Sequence, residues 1–188
     1  MEKSNIKSKS SIKKLWLGFL ILFVIINFIH KSLGYKMLIY KISPNFLNYI
    51  LFLGLIIWPR IFYNYKKDKG KWLKVVYNSI ITIIILVSMF FYLMFYSENK
   101  YFIFKSPNKT NTLVVEEKAF LLSGHSNFYE RKFGLFIKAL NKGVSTDDGF
   151  RPFSNNQYKI TWVDNNSVKL EYDFGSSGIW KVEFIDLN

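Results

Sequence analysis

The chain has 188 residues, of which 50% are hydrophobic, and it carries no cysteine and a formal net charge of +13. The lack of cysteine excludes a thiol nucleophile, a thiolate metal site and a disulfide framework. The first 96 residues hold 14 Lys/Arg against 2 acids, whereas the remainder holds 12 against 11. Cations placed around apolar runs are typical of membrane topology and argue against a nucleic-acid partner.

The first apolar run, Leu15–Ile29, follows a lysine-rich tail and has Asn27 as its one strongly polar residue. Lysines at both ends can snorkel to the headgroups and lengthen the span. A signal peptide begins in a similar way, but no small-x-small cleavage motif follows the run. We therefore predict a retained transmembrane helix over residues 12–31.

The second run begins where Ser43 can cap a helix with Pro44 at its first position. Pro59 and Arg60 end or kink this run next to several aromatic residues of the kind that favour the membrane interface. The pattern predicts a second transmembrane helix over residues 44–63.

The third run, Val75–Tyr96, has no ionisable group except tyrosine phenols. A helix of this length spans about 33 Å, which exceeds a hydrocarbon core of about 30 Å. We predict a third transmembrane helix over residues 75–96. No ionisable residue lies at mid-depth in any run, so a pump or a proton-coupled carrier is not expected.

The loops predict the orientation of these helices. The N-terminal tail and the loop of residues 60–74 carry 5 and 6 Lys/Arg, against 3 in the loop between the first two helices. The positive-inside rule therefore places the N-terminus in the cytoplasm and the C-terminal half outside it. The cluster Lys66–Lys71 could also bind nucleic acid, but its simpler role is as a topology determinant on the anionic leaflet.

The pattern changes after Tyr96 to a period of two with frequent turn residues, which predicts an all-β antiparallel domain over residues 99–188 after a membrane region over 1–98. Thr112–Lys118 is predicted as a strand, and Phe128–Leu140 as one or two strands. Val144–Asn156 is predicted as a loop because it is rich in Asp, Gly, Ser, Asn and Pro.

The last forty residues predict a three-stranded meander. Alternating apolar residues fall in Tyr158–Trp162 and Val168–Phe174, separated by an Asp-Asn-Asn turn. A second turn at Gly175–Gly178 leads to Trp180, Val182 and Phe184. The alternation predicts that the apolar residues of all three strands face inward.

No residue pattern predicts catalysis, a metal or a cofactor. His125 has Ser123 and Ser126 nearby, but no Gly-x-Ser-x-Gly elbow accompanies them, and a polar loop is the simpler interpretation. Thr146–Gly149 lacks the alternating acids and distal Glu of a calcium loop. We expect a protein that is not an enzyme.

Five residues of the long loop form the candidate binding site: Asp147, Asp148, Phe150, Arg151 and Phe153. Aromatic side chains beside an arginine are typical of binding hot spots. In the alternative interpretation, the two phenylalanines fold back and plug one end of the sheet.

Four segments form a recognisable pattern: Thr112–Glu117, Ser145–Phe153, Tyr158–Trp162 and Gly178–Lys181. This pattern resembles the tail domain of uncharacterised membrane proteins from Bacillus-type and related Firmicutes, over residues 106–188. The resemblance implies a bacterial, membrane-anchored β domain and carries no known activity or site residues.

Two functions follow as expectations. In the first, a multi-pass protein of the cell membrane presents its β domain outside the cytoplasm to bind or sense a protein, peptide or envelope ligand. In the second, an accessory or immunity-type protein acts on a membrane partner through its helices, whose polar side chains can bond between helices. A hydrolase that uses His125 is the weakest alternative.

Overall fold

The structure, a computed structural model, describes residues 2–62, 71–175 and 178–187. Three helices precede the β domain: α1 (Glu2–Leu33), α2 (Pro44–Phe62) and α3 (Lys71–Phe95). The three helices followed by antiparallel strands agree with the sequence prediction. Most of the predicted basic loop between α2 and α3 lies outside the described residues.

Two of the helices are long and apolar enough to cross a membrane, over Lys13–Leu33 and Trp72–Phe95. The apolar part of α2, Pro44–Trp58, is shorter. The helices meet through a few specific contacts, such as the Phe19 and Trp58 rings, whose centroids lie 5.4 Å apart. Most large apolar side chains on α1 and α3 are exposed.

The strands form two antiparallel sheets. Eight strands occur in the described residues: β1 (Tyr35–Met37), β2 (Lys100–Lys105), β3 (Thr112–Phe120), β4 (Ser123–Lys132), β5 (Phe136–Thr146), β6 (Tyr158–Trp162), β7 (Ser167–Asp173) and β8 (Trp180–Asp186). The larger sheet has the order β1-β5-β4-β3-β2, and the smaller one has the order β6-β7-β8. The smaller sheet is the predicted meander.

The connection between α1 and α2 contributes an edge strand that sequence analysis missed. β1 pairs with β5, placing Lys36 opposite Ile137 and Met37 opposite Phe136. The N–H of Leu38 extends the pairing by donating to the carbonyl of Leu135 at 2.8 Å. The α1–α2 connection therefore lies at the same end of the helices as the β domain.

The main core lies between the two sheets. It contains Leu113, Val115, Phe128, Val144, Phe153, Val168, Leu170, Tyr172, Ile185 and Leu187. A smaller cluster covers the opposite face of the larger sheet and contains Leu38, Tyr101, Val114, Tyr129 and Ile137. Since Leu38 belongs to the α1–α2 connection, this second face packs against the helical region.

One prediction about the meander was wrong. Trp180, Val182 and Phe184 point outward and are 49%, 47% and 55% exposed, whereas Ile185 is fully buried. β8 carries two apolar sets of opposite parity, and its register places Ile185 opposite Val168 on the inner face. A strand can bury only one of two such sets, because neighbouring side chains alternate between faces.

Candidate functional site

The predicted binding loop lies beside the end of α3. The strand β5 continues to Thr146, so the loop is shorter than predicted and begins with a turn of 3-10 helix at Asp147–Gly149. The Thr146 hydroxyl donates to the carbonyl of Phe150 at 2.5 Å and closes this turn. Gly124 leaves room for the turn, since a Cβ there would lie 2.2 Å from the Phe150 carbonyl oxygen.

Four of the five predicted residues lie at the surface or in part at the surface. Asp147 and Asp148 are exposed, and Phe150 and Arg151 are half-buried. The Arg151 guanidinium forms an ion pair with Glu98, three residues after the end of α3. This ion pair links the candidate loop to the helical region.

Phe153 is not available to a ligand, which corrects its assignment as a binding residue. Its side chain is fully buried and packs against the rings of Phe102, Phe104 and Tyr158. The alternative in which the loop plugs the sheet therefore holds for Phe153. An aromatic ring gains most by leaving water completely, and the space between the two sheets provides that environment.

Buried Glu117 fixes the backbone of this loop. Its carboxylate accepts the N–H of Phe153 at 2.7 Å and the N–H of Ser154 at 2.9 Å, and it also accepts the Ser154 hydroxyl. A buried carboxylate is stable only when its oxygens receive such donors. The loop is thus held in one conformation and presents Asp148 and Arg151 from a rigid base.

A cleft of about 370 Å³ separates the end of α3 from strands β3 and β4. Its lining is half aromatic and half basic or small: Phe95, Tyr96, Lys118, Ala119, Phe120 and His125. A Cβ built on Gly149 would lie 3.0 Å from the carbonyl oxygen of Leu121, so the candidate loop adjoins this hairpin. The combination of aromatic walls with a lysine suits an amphiphilic or anionic group.

Within the cleft, both ring nitrogens of His125 are hydrogen-bonded to serines. Ser123 Oγ lies 2.9 Å from Nε2, and Ser145 Oγ lies 2.9 Å from Nδ1. Ser123 and His125 have the separation of a nucleophile and a general base, but the position that a carboxylate holds in a Ser-His-Asp triad is occupied by the Ser145 hydroxyl. The pairing of β4 with β5 brings Ser145 opposite His125, so sequence spacing gave no indication of it.

Two hairpin turns expose large apolar side chains next to the helix ends. In the β3–β4 turn, Leu121 and Leu122 are 82% and 76% exposed, and in the β4–β5 turn Phe133 is 83% exposed. The Phe120 ring stacks on Phe95 of α3 at 5.3 Å, and Phe133 lies 6.3 Å from Tyr35, which follows α1 closely.

Two of the exposed apolar residues have a backbone conformation that is unfavourable for their residue type. Leu121 and Phe133 have φ angles of 53° and 51°, in the left-handed region that favours Gly or Asn. Such a conformation costs a residue with a side chain about 1 kcal/mol. Turn chemistry therefore does not explain a leucine and a phenylalanine at these positions.

A buried carboxylate that sequence analysis missed joins the α1–α2 connection to the sheet. The phenols of Tyr101 and Tyr129 each donate to Glu116 at 2.6 Å, and the Asn99 amide donates to it at 3.1 Å. Lys36 of β1 donates to the Tyr129 hydroxyl at 3.2 Å. We refer to these five residues as the Glu116 cluster.

The cluster keeps its carboxylate charged. Burial alone would raise the pKa of Glu116, but the phenol hydrogen bonds from Tyr101 and Tyr129 and the charges of Lys36 and Lys118 outweigh it and lower the pKa. Burial, followed by the nearby Glu116 charge, raises the pKa of both Tyr101 and Tyr129. The carboxylate is therefore ionised and the phenols are protonated at neutral pH.

A second cleft, of about 340 Å³ and open at the surface, lies between the helices. Its polar lining comes from all three helices: Asn27, Asn45, Asn48, Tyr49, Ser88 and Tyr92. The Tyr49 and Tyr92 rings stack at 4.7 Å, and the Asn27 amide lies 3.5 Å from the Asn48 side-chain oxygen. Several polar residues predicted to bond between helices thus meet at one place.

Among the described residues, no group of three or more His, Asp or Glu side chains is arranged to hold a metal ion. No protein family model, curated protein or solved structure matches the chain. The resemblance to Firmicutes membrane proteins therefore stays a prediction.

Proposed function

We propose that this is a multi-pass membrane protein whose β domain lies on the extracytoplasmic surface of the cell membrane and binds a protein, peptide or envelope ligand. The observation that carries the proposal is the pair of apolar hairpin turns, Phe120–Leu122 and Phe133–Leu135, beside the ends of α3 and α1. Exposed leucine and phenylalanine at these positions gain free energy by entering the outer leaflet.

The sheet topology supports the proposed orientation. The α1–α2 connection carries few cations, and it pairs through β1 with the β domain. The positive-inside rule places this connection outside the cytoplasm, and the domain that pairs with it then lies on the same side. The lysine-rich tail and the loop of residues 60–74 fall on the opposite side.

The candidate loop and the cleft beside it supply the binding surface. Asp148 is exposed, Arg151 is partly exposed, and Glu117 holds the backbone between them and the core. A rigid loop loses little conformational entropy on binding, which favours affinity. The neighbouring cleft offers Lys118 to an acidic part of the ligand and its aromatic walls to an apolar part.

The orientation is tested by cysteine labelling, which is clean because the chain has no native cysteine. A membrane-impermeant maleimide should label Asn165→Cys in intact cells and label Lys69→Cys only after permeabilisation. The reverse pattern would overturn the orientation. An environment-sensitive fluorophore on Leu121→Cys and Phe133→Cys should report lipid, while the same probe on Asn165→Cys reports water.

The binding role is tested by the double variant Phe150→Ala, Arg151→Ala. Crosslinking followed by pull-down of the full-length protein from its own membrane should lose the captured partner, while the melting temperature of the domain stays close to that of the parent. Asn155→Ala, an exposed residue of the same loop, is the matched control. Unfolding of the double variant would instead assign both residues to structure.

The polar side chains in the mainly apolar cleft between the helices favour a second candidate, in which the protein is an accessory or immunity-type subunit that binds a membrane partner through α1–α3. Asn48 and Tyr92 in that cleft are suited to hydrogen-bond a partner helix. Chimeras with unrelated helices that retain residues 34–43 for β1 separate the two candidates. Function that survives the exchange belongs to the β domain, and function that is lost belongs to the helices.

A further inference from the structure

The strand β8 ends the smaller sheet and presents an apolar row to solvent. β7 is its neighbour on one side, and no described strand pairs with its other edge. Trp180, Val182 and Phe184 on its outer face are about half exposed. A long edge strand with exposed apolar residues is a template for pairing with another strand.

The free edge has a defined set of backbone groups. The N–H of Leu187 donates to Asn166, and the N–H of Phe174 donates to Ile179, so the odd-numbered residues of β8 direct their backbone groups toward β7. The even-numbered residues 180, 182 and 184 therefore direct theirs toward the open edge.

The opposite edge of the same sheet provides a contrast. The outer face of β6 carries Lys159 and Thr161, which are exposed and polar. Polar and charged residues of this kind protect an edge strand from unwanted pairing. The apolar row is thus specific to β8 and is not a general property of the sheet.

We propose that β8 is the dimerisation strand of this protein and pairs antiparallel with β8 of a second copy, with Val182 opposite Val182 on the twofold axis. This register pairs Trp180 with Phe184 on the outer face in both halves of the interface. It also places the outward backbone groups of residues 180, 182 and 184 opposite one another, as an antiparallel ladder requires. The two smaller sheets then form one continuous sheet.

The charges of β8 select this register. With Val182 on the axis, Lys181 of each copy lies opposite Glu183 of the other. A shift of the axis to Lys181 would oppose two lysines, and a shift to Glu183 would oppose two glutamates. Both residues are exposed. The Lys181 ammonium lies 3.2 Å from the centre of the Phe174 ring, and its flexible side chain must exchange this contact for the cross-strand ion pair. Charge complementarity therefore points to a second copy as the partner.

Lys142 contacts the open edge of β8 in the single chain. Its Nζ donates to the carbonyl oxygen of Phe184 at 2.5 Å, which covers one of the outward backbone acceptors. A carbonyl oxygen has two lone pairs and lysine is flexible, so pairing does not require this bond to break. Lys142→Ala should strengthen the dimer by exposing the acceptor.

Dimerisation through β8 depends on the fold of the smaller sheet and not on which ligand the β domain binds. The first test is disulfide crosslinking of the full-length Val182→Cys protein in its membrane. Opposed residues of an antiparallel ladder lie about 5.5 Å apart between Cα atoms, within disulfide range. A covalent dimer should form with Val182→Cys and not with Thr161→Cys on β6, the matched control. Equal yields from the two variants would overturn the proposal.

The second test is a charge exchange, read as the mass of the full-length protein in detergent by light scattering. Lys181→Glu or Glu183→Lys alone places like charges opposite each other twice and should weaken the dimer about tenfold or more. The double variant Lys181→Glu, Glu183→Lys restores opposite charges and should return dimerisation to near the parent value. A parent protein that is monomeric at all concentrations would overturn the inference, even if its β8 pairs with a foreign peptide. A double variant that does not regain dimerisation would overturn it as well.

Discussion

The two faces of the larger sheet each bury a glutamate from β3, and the two carboxylates are held in different ways. Glu117 faces the main core and accepts backbone N–H groups of the candidate loop. Glu116 faces the helical region and accepts the phenols of Tyr101 and Tyr129. A backbone N–H can only donate, whereas a phenol hydroxyl can also accept. Substitution of Glu117 on the core face should therefore destabilise the domain more than substitution of Glu116 on the helix-facing side.

The largest expected effect is on the core face. Phe153→Ala removes a fully buried ring that contacts three other aromatic residues, and it should lower the free energy of unfolding by about 3–5 kcal/mol. Chemical denaturation followed by tryptophan fluorescence measures this loss. Asn155→Ala should change it by less than about 0.5 kcal/mol. Equal effects would mean that Phe153 is not part of the core.

Glu117→Gln tests the rigid support of the loop. Glutamine has one acceptor oxygen, so its amide would face one of the N–H groups of Phe153 and Ser154. We expect a loss of about 2 kcal/mol, the usual result of leaving a buried donor unsatisfied. Hydrogen exchange should speed up at residues 150–156 more than in β7. Uniform protection across the domain would show that the loop is held by other contacts.

Glu116→Gln should have a smaller effect at neutral pH, about 1 kcal/mol, because one phenol can reverse its role and accept from the amide. The pH dependence distinguishes the two glutamates further. The lowered pKa of Glu116 means that its contribution is present above the unfolded-state value and is lost as pH falls through the folded-state value.

Melting temperatures of the parent protein should therefore decline below about pH 5, and this decline should be shallower in Glu116→Gln. At the alkaline end, the raised pKa of Tyr101 and Tyr129 predicts a loss of stability above about pH 10. Parallel acid limbs for the parent and the variant would contradict the assigned state of Glu116.

The smallest effect is expected at the link between the cluster and the α1–α2 connection. Lys36→Met removes the hydrogen bond to the Tyr129 hydroxyl and a cation–π contact at 5.2 Å from that ring, so we expect a loss of about 0.5–1 kcal/mol. Lys41→Met, an exposed cation of the same connection, should be neutral. Each variant removes one positive charge, so a difference between their melting temperatures measures the contact of Lys36 with Tyr129.

The sequence predicted those parts of the fold that depend on local pattern. The helix that begins at Pro44, the third apolar helix and the meander of β6–β8 were all predicted from periodicity and turn residues. The strand β1 was missed because three residues between two helices have too short a pattern, and their pairing partner lies about a hundred residues away. The same reason hid the bonds between His125 and Ser145.

The position of the candidate loop was predicted in part, and its binding role stays a prediction. Asp148 lies at the surface and Arg151 lies there in part, whereas Phe153 is buried. The residues that flank Phe153 in the sequence do not distinguish the two cases. The Asp-Gly-Phe-Arg sequence predicts a turn, but it does not predict which of the two aromatic rings is buried. The burial of Phe153 depends on Glu117, which is distant in sequence and accepts the backbone N–H of Phe153.

The sequence by itself determined the apolar helices, the charge asymmetry between the two halves and the alternating strands, because each follows from composition or from a period of a few residues. Only the tertiary structure decided which glutamate faces which layer, which apolar set of β8 is buried and how the α1–α2 connection joins the sheet. These outcomes depend on register and on contacts between distant segments. A shift of one residue in β8 would have buried Trp180 and exposed Ile185, with the same local pattern.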